Sequence, residues 1–144
     1  MTILFRKISE NARTPECATS GSAGYDLCAC VSEPVTIGPR ERALIPTGIS
    51  VALPDGHTGF VFGRSGLGVR HGVSLINGVG VIDSDYRGEI RIGLVNHSDV
   101  PYTVCDGDRI AQLCVMPVAA AQFVQADALD ETGRGAGGFG STGM

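Results

Sequence analysis

A chain of 144 residues with 43% apolar and 18% charged side chains is about the size of one domain, and can bury a single core. No apolar run approaches the roughly 20 residues of a membrane helix, and the N-terminus, Met1 to Lys7, lacks a secretory signal's order because its basic residues follow a very short apolar stretch. The net charge of −4 argues against a duplex-binding surface, so neither a membrane nor nucleic acid is an expected partner.

Short runs of alternating or β-branched residues recur about every ten positions, separated by Gly, Pro, Asn and Asp, and helical periodicity is nearly absent. In chain order the runs predict strands at Ile3 to Ile8, Tyr25 to Ala29, Val35 to Ile37, Ala43 to Ile45, Ile49 to Leu53 and Thr58 to Phe62. They continue at Ser74 to Leu75, Val79 to Ile82, Glu89 to Asn96, Tyr102 to Val104, Arg109 to Pro117 and Gln122 to Ala126. One short helical turn is expected from Ser65 towards His71, weakened by Gly66 and Gly68. An all-β jelly-roll sandwich suits this pattern best. From Asp130 the composition changes. Five of the ten residues from Arg134 to Gly143 are glycine, and Phe139 is the only large apolar side chain among them, so 1–129 reads as the folded domain and 130–144 as a flexible arm.

The five cysteines are odd in number and have no zinc-type spacing, and the three histidines are scattered, so a structural metal site is not expected. A reducing, cytoplasmic compartment is the simple reading. The basic residues are lopsided, with Lys7 the single lysine beside ten arginines, whose forked guanidinium suits phosphate or carboxylate.

Three segments look directed at anions or a nucleotide. In Gly63-Arg64-Ser65-Gly66-Leu67 a guanidinium, a hydroxyl and open backbone N–H groups gather where a helix is expected to begin; a Ser N-cap beside a surface arginine reads the same way. The segment Asn77 to Glu89 reads as a β-hairpin in which Arg91 faces Asn77 and Glu89 faces Val79. There the Asn77 amide can meet a heterocycle edge, and Asp83, following two apolar residues, is expected to be partly desolvated as a base acting on water. An ordinary turn carboxylate is the alternative for Asp83 and Asp85. The tail from Arg134 to Gly143 formally contains G-x-G-x-x-G, but no βα unit surrounds it and only Met144 follows, so a Rossmann fingerprint is rejected. A strip with a guanidinium, hydroxyls and one aromatic ring can instead close over a nucleotide as a lid, or be a plain Gly-rich end.

With Ser22-Ala23-Gly24-Tyr25-Asp26-Leu27 before them and Gly107-Asp108-Arg109-Ile110-Ala111-Gln112-Leu113 before the tail, these segments resemble, in order, the five motifs of the trimeric dUTPase family. The resemblance implies a homotrimer with active sites shared between subunits, and Mg²⁺-dependent hydrolysis of dUTP to dUMP and pyrophosphate. That reaction keeps uracil out of DNA and supplies dUMP for thymidylate synthesis. By the same resemblance Asp83 is the general base and, with Gln112, orients the attacking water, while Asp26 serves Mg²⁺ through coordinated water. Asn77 and the backbone at Val81, Ile82 and Arg91 read uracil, and Tyr86 packs on deoxyribose. Arg64, Ser65, Gly66 and Gln112 bind the phosphates, and Arg134, Phe139, Gly140, Ser141 and Thr142 belong to the closing arm. Gly63, Gly68 and Ala136 depart from common family residues, which loosens the phosphate segment or removes one hydrogen bond from the arm. Two other readings on the same scaffold are a dCTP deaminase, whose hairpin pattern and lack of a Gly-rich arm differ from what is found here, and a nucleotide-gated regulatory binding protein.

Overall fold

The computed structural model describes residues 1–139 and 141. Its elements are β1 (Leu4–Lys7), β2 (Tyr25–Cys28), β3 (Val35–Ile37), β4 (Arg42–Pro46), β5 (Ile49–Ala52), β6 (His57–Phe62), α1 (Ser65–His71), β7 (Val73–Leu75), β8 (Val79–Ile82), β9 (Arg91–Asn96), β10 (Tyr102–Val104) and β11 (Arg109–Pro117). All pairings are antiparallel. A four-stranded sheet in the order β2-β11-β6-β8 and a three-stranded sheet in the order β4-β9-β7 carry the site, with the pairs β1-β5 and β10-β3 beside them. This is the all-β jelly-roll architecture expected, with one short helix.

Alternation explains the core. Along β9, Ile92, Leu94 and Asn96 point inward while the residues between them are more exposed, and Ile37, Ile45, Ile49, Val73, Val104 and Ile110 meet them with 1% exposure or less. Burying each such side chain contributes about 1.5–3 kcal/mol. The period of two also breaks in β11, where Ile110 and Ala111 are both buried. There the register against β2 slips: Arg109 lies opposite Cys28 and Ala111 opposite Leu27, leaving Ile110 as an extra residue in a bulge.

Two sequence expectations fail. Residues 122–126 form no strand. Phe123 and Val124 are 97% and 78% exposed, and an extended segment becomes a strand only where it docks on a sheet edge, which this one does not. After the Val118 N–H bonds the Gly56 carbonyl at 2.8 Å, the backbone hydrogen bonds of the described tail residues are local turns, such as Gly135 N–H to the Thr132 carbonyl. The segment from Asn77 to Glu89 is also not a paired hairpin, because β8 pairs with β6 while β9 pairs with β4 and β7. The two strands belong to different sheets and diverge, so the proposed facing of Arg91 on Asn77 and Glu89 on Val79 does not occur.

One buried polar side chain ties the elements together. Asn96, with no exposed surface, donates through Nδ2 to the Ile37 and Val100 carbonyls and accepts at Oδ1 from the Ser98 N–H and hydroxyl, at 2.7–3.0 Å. It joins β3, β9 and the turn between β9 and β10. Replacing Asn96 by Ala strands buried carbonyls without donors, and each such group costs about 1–3 kcal/mol. The Asn96→Ala variant is therefore expected to lose about 3 kcal/mol in urea denaturation, and a loss below about 1 kcal/mol would show that water replaces the amide.

Candidate functional site

The divergence of β8 and β9 opens a cleft of about 580 Å³ lined by Asn77, Gly80, Val81, Ile82, Asp83, Tyr86, Glu89 and Arg91, among others. β8 is the last strand of its sheet, so the backbone edge of Val81 and Ile82 away from β6 is free to meet a ligand. A Cβ on Gly80 would lie 3.0 Å from Cβ of Val61, so only glycine leaves this floor unobstructed. Asn77 is exposed and precedes Gly78, whose φ of +68° makes the sharp turn into β8.

Tyr86 is held from behind. Its hydroxyl donates to the Glu89 carbonyl at 2.9 Å, and Gly88 has no side chain because a Cβ there would overlap the Tyr86 ring. Glu89 in turn accepts from the Gly48 N–H at 2.8 Å and from Arg91 Nε at 2.7 Å. The Thr47 hydroxyl reaches the Ile90 carbonyl at 2.6 Å, so the loop from Asp83 to Ile90 is pinned to the turn between β4 and β5. Asp83 itself is exposed within the chain. The expected desolvation by its apolar neighbours fails because β8 is an edge strand on which Val81 is itself 58% exposed.

A second cavity, of about 520 Å³, is lined by Ser22, Gly24, Asp26, Arg64, Ser65, Gly66, Arg70, Arg109 and Gln112 with Ala18. Here β2, β11 and the segment after β6 converge. Gln112 lies opposite both Asp26 and Phe62, and its Nε2 donates to the Gly63 carbonyl at 3.0 Å. A Cβ on Gly24 would fall 2.8 Å from Oε1 of Gln112, so glycine is what lets the amide lie there. Asp26, 17% exposed in its side chain, accepts Arg64 Nε on one carboxylate oxygen at 3.1 Å and an Arg109 terminal nitrogen on the other at 3.2 Å. Arg64 also donates to the Arg109 carbonyl at 3.2 Å. Two guanidinium groups on one carboxylate leave the cluster with a surplus positive charge in a partly desolvated pocket, which favours an anion. Beside it, burial raises the Cys28 thiol above its usual range and favours its neutral form, a shift that the nearby Arg13 charge opposes.

The N-cap of α1 is Arg64, in extended conformation and without a side-chain cap bond. Ser65 is thus the first helical residue, not the N-cap, and among the described residues its hydroxyl makes no hydrogen bond. Sequence reasoning missed Arg109, Arg70 and Glu89. Arg109 and Gln112 are an odd number of positions apart and ought to face opposite ways in a regular strand; the bulge at Ile110 puts both on the Asp26 side.

Each cavity gathers its own residues and the two share none. Asp83 and Gln112, expected around one water, line different cavities of the chain. Arg134, Phe139 and Ser141 lie in the tail and line neither; Arg134 Nε donates to the Gly137 carbonyl at 2.8 Å and Phe139 is fully exposed. Gly140 and Thr142 fall outside the described residues.

This β-sandwich thus presents a free strand edge, suited to a planar polar group, in one cleft and paired arginines, suited to an anion, in another. The family model described as dUTPase matches residues 10–143. The chain is 53% identical over 133 residues to the deoxyuridine 5'-triphosphate nucleotidohydrolase of Desulfitobacterium hafniense (92% of this chain, 88% of the relative), and 49% identical over 146 residues to that of Anaeromyxobacter sp. strain Fw109-5 (99% and 98%). Its structure is similar to that of the Staphylococcus bacteriophage 80alpha dUTPase with dUPNHPP, at a TM-score of 0.91 and 29% identity, covering 99% of each chain. It is also similar to a mutant dUTPase from phage phi11 of S. aureus that coordinates a structural Mg(II) ion, at a TM-score of 0.82 and 27% identity, covering 91% of this chain and 100% of that one. The chain belongs to the dUTPase family, whose members are dUTP diphosphatases.

Proposed function

We propose that this enzyme hydrolyses dUTP to dUMP and pyrophosphate at a site assembled from the two cavities, with Mg²⁺ bound to the triphosphate. The observation that carries the reading is the sorting of the family-motif residues into two cavities of matched chemistry. Uracil is read in the cleft by the Asn77 amide and by the backbone of Val81, Ile82 and Arg91; a wrong donor and acceptor order leaves those groups unpaired. Tyr86, braced by Glu89 and Gly88, packs on the deoxyribose and leaves no room for a 2′-hydroxyl. Arg64, Ser65, Gly66 and Gln112 take the phosphates.

Asp83 accepts a proton from a water as its oxygen attacks the α-phosphorus, with Gln112 orienting that water. The bond from the α-phosphorus to the bridging oxygen breaks, and pyrophosphate leaves with its electron pair. Among the described residues no group of three or more His, Cys, Asp or Glu can cage a metal. Mg²⁺ keeps several waters and uses few carboxylates beside substrate phosphates, so the donor set fits an ion held mainly by the triphosphate. Asp26, with one arginine on each oxygen and lone pairs remaining on both, would hold it through coordinated water. When bound, the ion neutralises charge developing on the leaving pyrophosphate.

A homotrimer completes the site in this reading, since Asp83 and Gln112 line separate cavities of one chain and adjoining copies can bring them together. The 130–144 arm closes over the bound nucleotide in this reading, with the Phe139 ring on uracil and Arg134, Ser141 and Thr142 on the terminal phosphate. All five cysteines are free, which suits a reducing cytoplasm.

The primary test is pyrophosphate release from dUTP, dCTP, dTTP and UTP with Mg²⁺ and after chelation. Selective, chelator-sensitive release from dUTP is expected; deamination of dCTP, or binding of dUTP without turnover, would replace this reading with the deaminase or the gated binding protein. The Asp83→Asn variant is expected to lose turnover by at least about 10²-fold while still binding a non-hydrolysable dUTP analogue, and retained turnover would remove Asp83 as the base. Deleting 134–144 is expected to slow hydrolysis and leave the unfolding midpoint unchanged; full activity in the truncated protein would end the lid assignment. Sedimentation equilibrium is expected to give the mass of a trimer, and an active monomer would rule out shared sites.

A further inference from the structure

The anion pocket contains a third guanidinium that the dUTPase motifs do not account for. Arg64 and Arg109 are both committed to Asp26, whereas among the described residues Arg70 makes no ion pair and no side-chain hydrogen bond, yet it lines the same cavity. Its position follows from helix geometry. Arg70 lies four residues after Gly66, so the two occupy one face of α1 a turn apart, while Leu67 is the residue of the helix that anchors into the core. A Cβ at Gly66 would meet nothing within 4 Å, so the helix surface is uncrowded at that position. Nor is Arg70 needed to close the helix. Gly72, in left-handed conformation, already satisfies the end of α1 with its own N–H on the Gly68 and Leu67 carbonyls.

We infer that Arg70 is a substrate-binding residue that takes the pyrophosphate portion of the triphosphate, the part that becomes the leaving group. The inference rests on the dUTPase reading and deepens it. Asp26 and Gln112 sit on the sheet, whereas Arg70 is exposed on the helix side of the pocket, where the charge-rich distal phosphates have the least competition from protein carboxylates. Arg64 and Arg109 share their charge with Asp26, and a triphosphate brings more negative charge than that surplus neutralises. An uncommitted guanidinium can pair with it without first breaking an internal ion pair.

Isothermal calorimetry with Mg²⁺ compares dUMP and a non-hydrolysable imido analogue of dUTP on the wild-type protein, Arg70→Ala and Arg70→Lys. The expected result for Arg70→Ala is about a tenfold loss in affinity for the analogue, the scale of one charge-assisted contact, with dUMP affinity and unfolding midpoint unchanged. Arg70→Lys is expected to recover part of the loss, because it restores charge but not the fork. Unchanged analogue binding in Arg70→Ala would overturn the inference and leave the dUTPase reading standing. Parallel loss of dUMP affinity and thermal stability would overturn it in favour of a structural role. A wild-type protein that binds neither ligand would overturn the functional reading, and this inference with it.

Discussion

Between Ile82 and Arg91 the chain leaves one sheet and enters another, and the cleft exists because β8 and β9 do not pair. Unpaired strand edges are ordinarily a liability, since their N–H and C=O groups seek partners wherever they can. Here the exposed edge of β8 is short, preceded by Gly78, interrupted by Gly80 and faced by the pinned Asp83 to Ile90 loop. A planar heterocycle can satisfy those groups where another strand would be hindered. The loop's attachments through Thr47, Gly48 and Glu89 keep the cleft from collapsing into a paired hairpin.

The opposite end of the same sheet is organised by charge. Asp26 holds Arg64 and Arg109 in fixed orientation before any ligand arrives, so ordering two long side chains does not have to be offset at the moment of binding. Both arginines keep donors free, because each spends only part of its fork on the carboxylate. Glycines set the spacing throughout. Gly24 makes room for Gln112, Gly88 for Tyr86 and Gly80 for the floor of the cleft; at these positions the fold depends on an absent side chain.

Most strands were legible from alternation because one face of each packs on the core, and the runs at Val35 to Ile37, Val79 to Ile82, Tyr102 to Val104 and Arg109 to Pro117 match the observed limits. Partner choice was not legible. The Asn77 to Glu89 segment carries hairpin residues, but β8 pairs with β6 and β9 with β4 and β7, a tertiary decision that local turn chemistry does not contain. The apolar residues Phe123 and Val124 read as strand although no edge within the chain receives them. At the site, the division of the motif residues between two cavities depends on which sheet each strand joins, which no motif spells out. Arg70 and Glu89 were passed over because a single charged residue in a sequence carries no sign of what lies across from it.

The bulge at Ile110 bears on how this chain tolerates changes of length. A surface loop absorbs an inserted or lost residue at small entropic cost, but in β11 the count of residues between Arg109 and Gln112 decides which side of the sheet each one serves. Losing Ile110 would leave Arg109 two positions from Gln112 in a regular strand and still on its side, whereas one residue added between Ala111 and Gln112 would turn Arg109 away from Asp26. The segment's function therefore resides in its phase as much as in its composition, and a chain with every motif letter conserved but one residue inserted between Ala111 and Gln112 would lose the arrangement of its arginines.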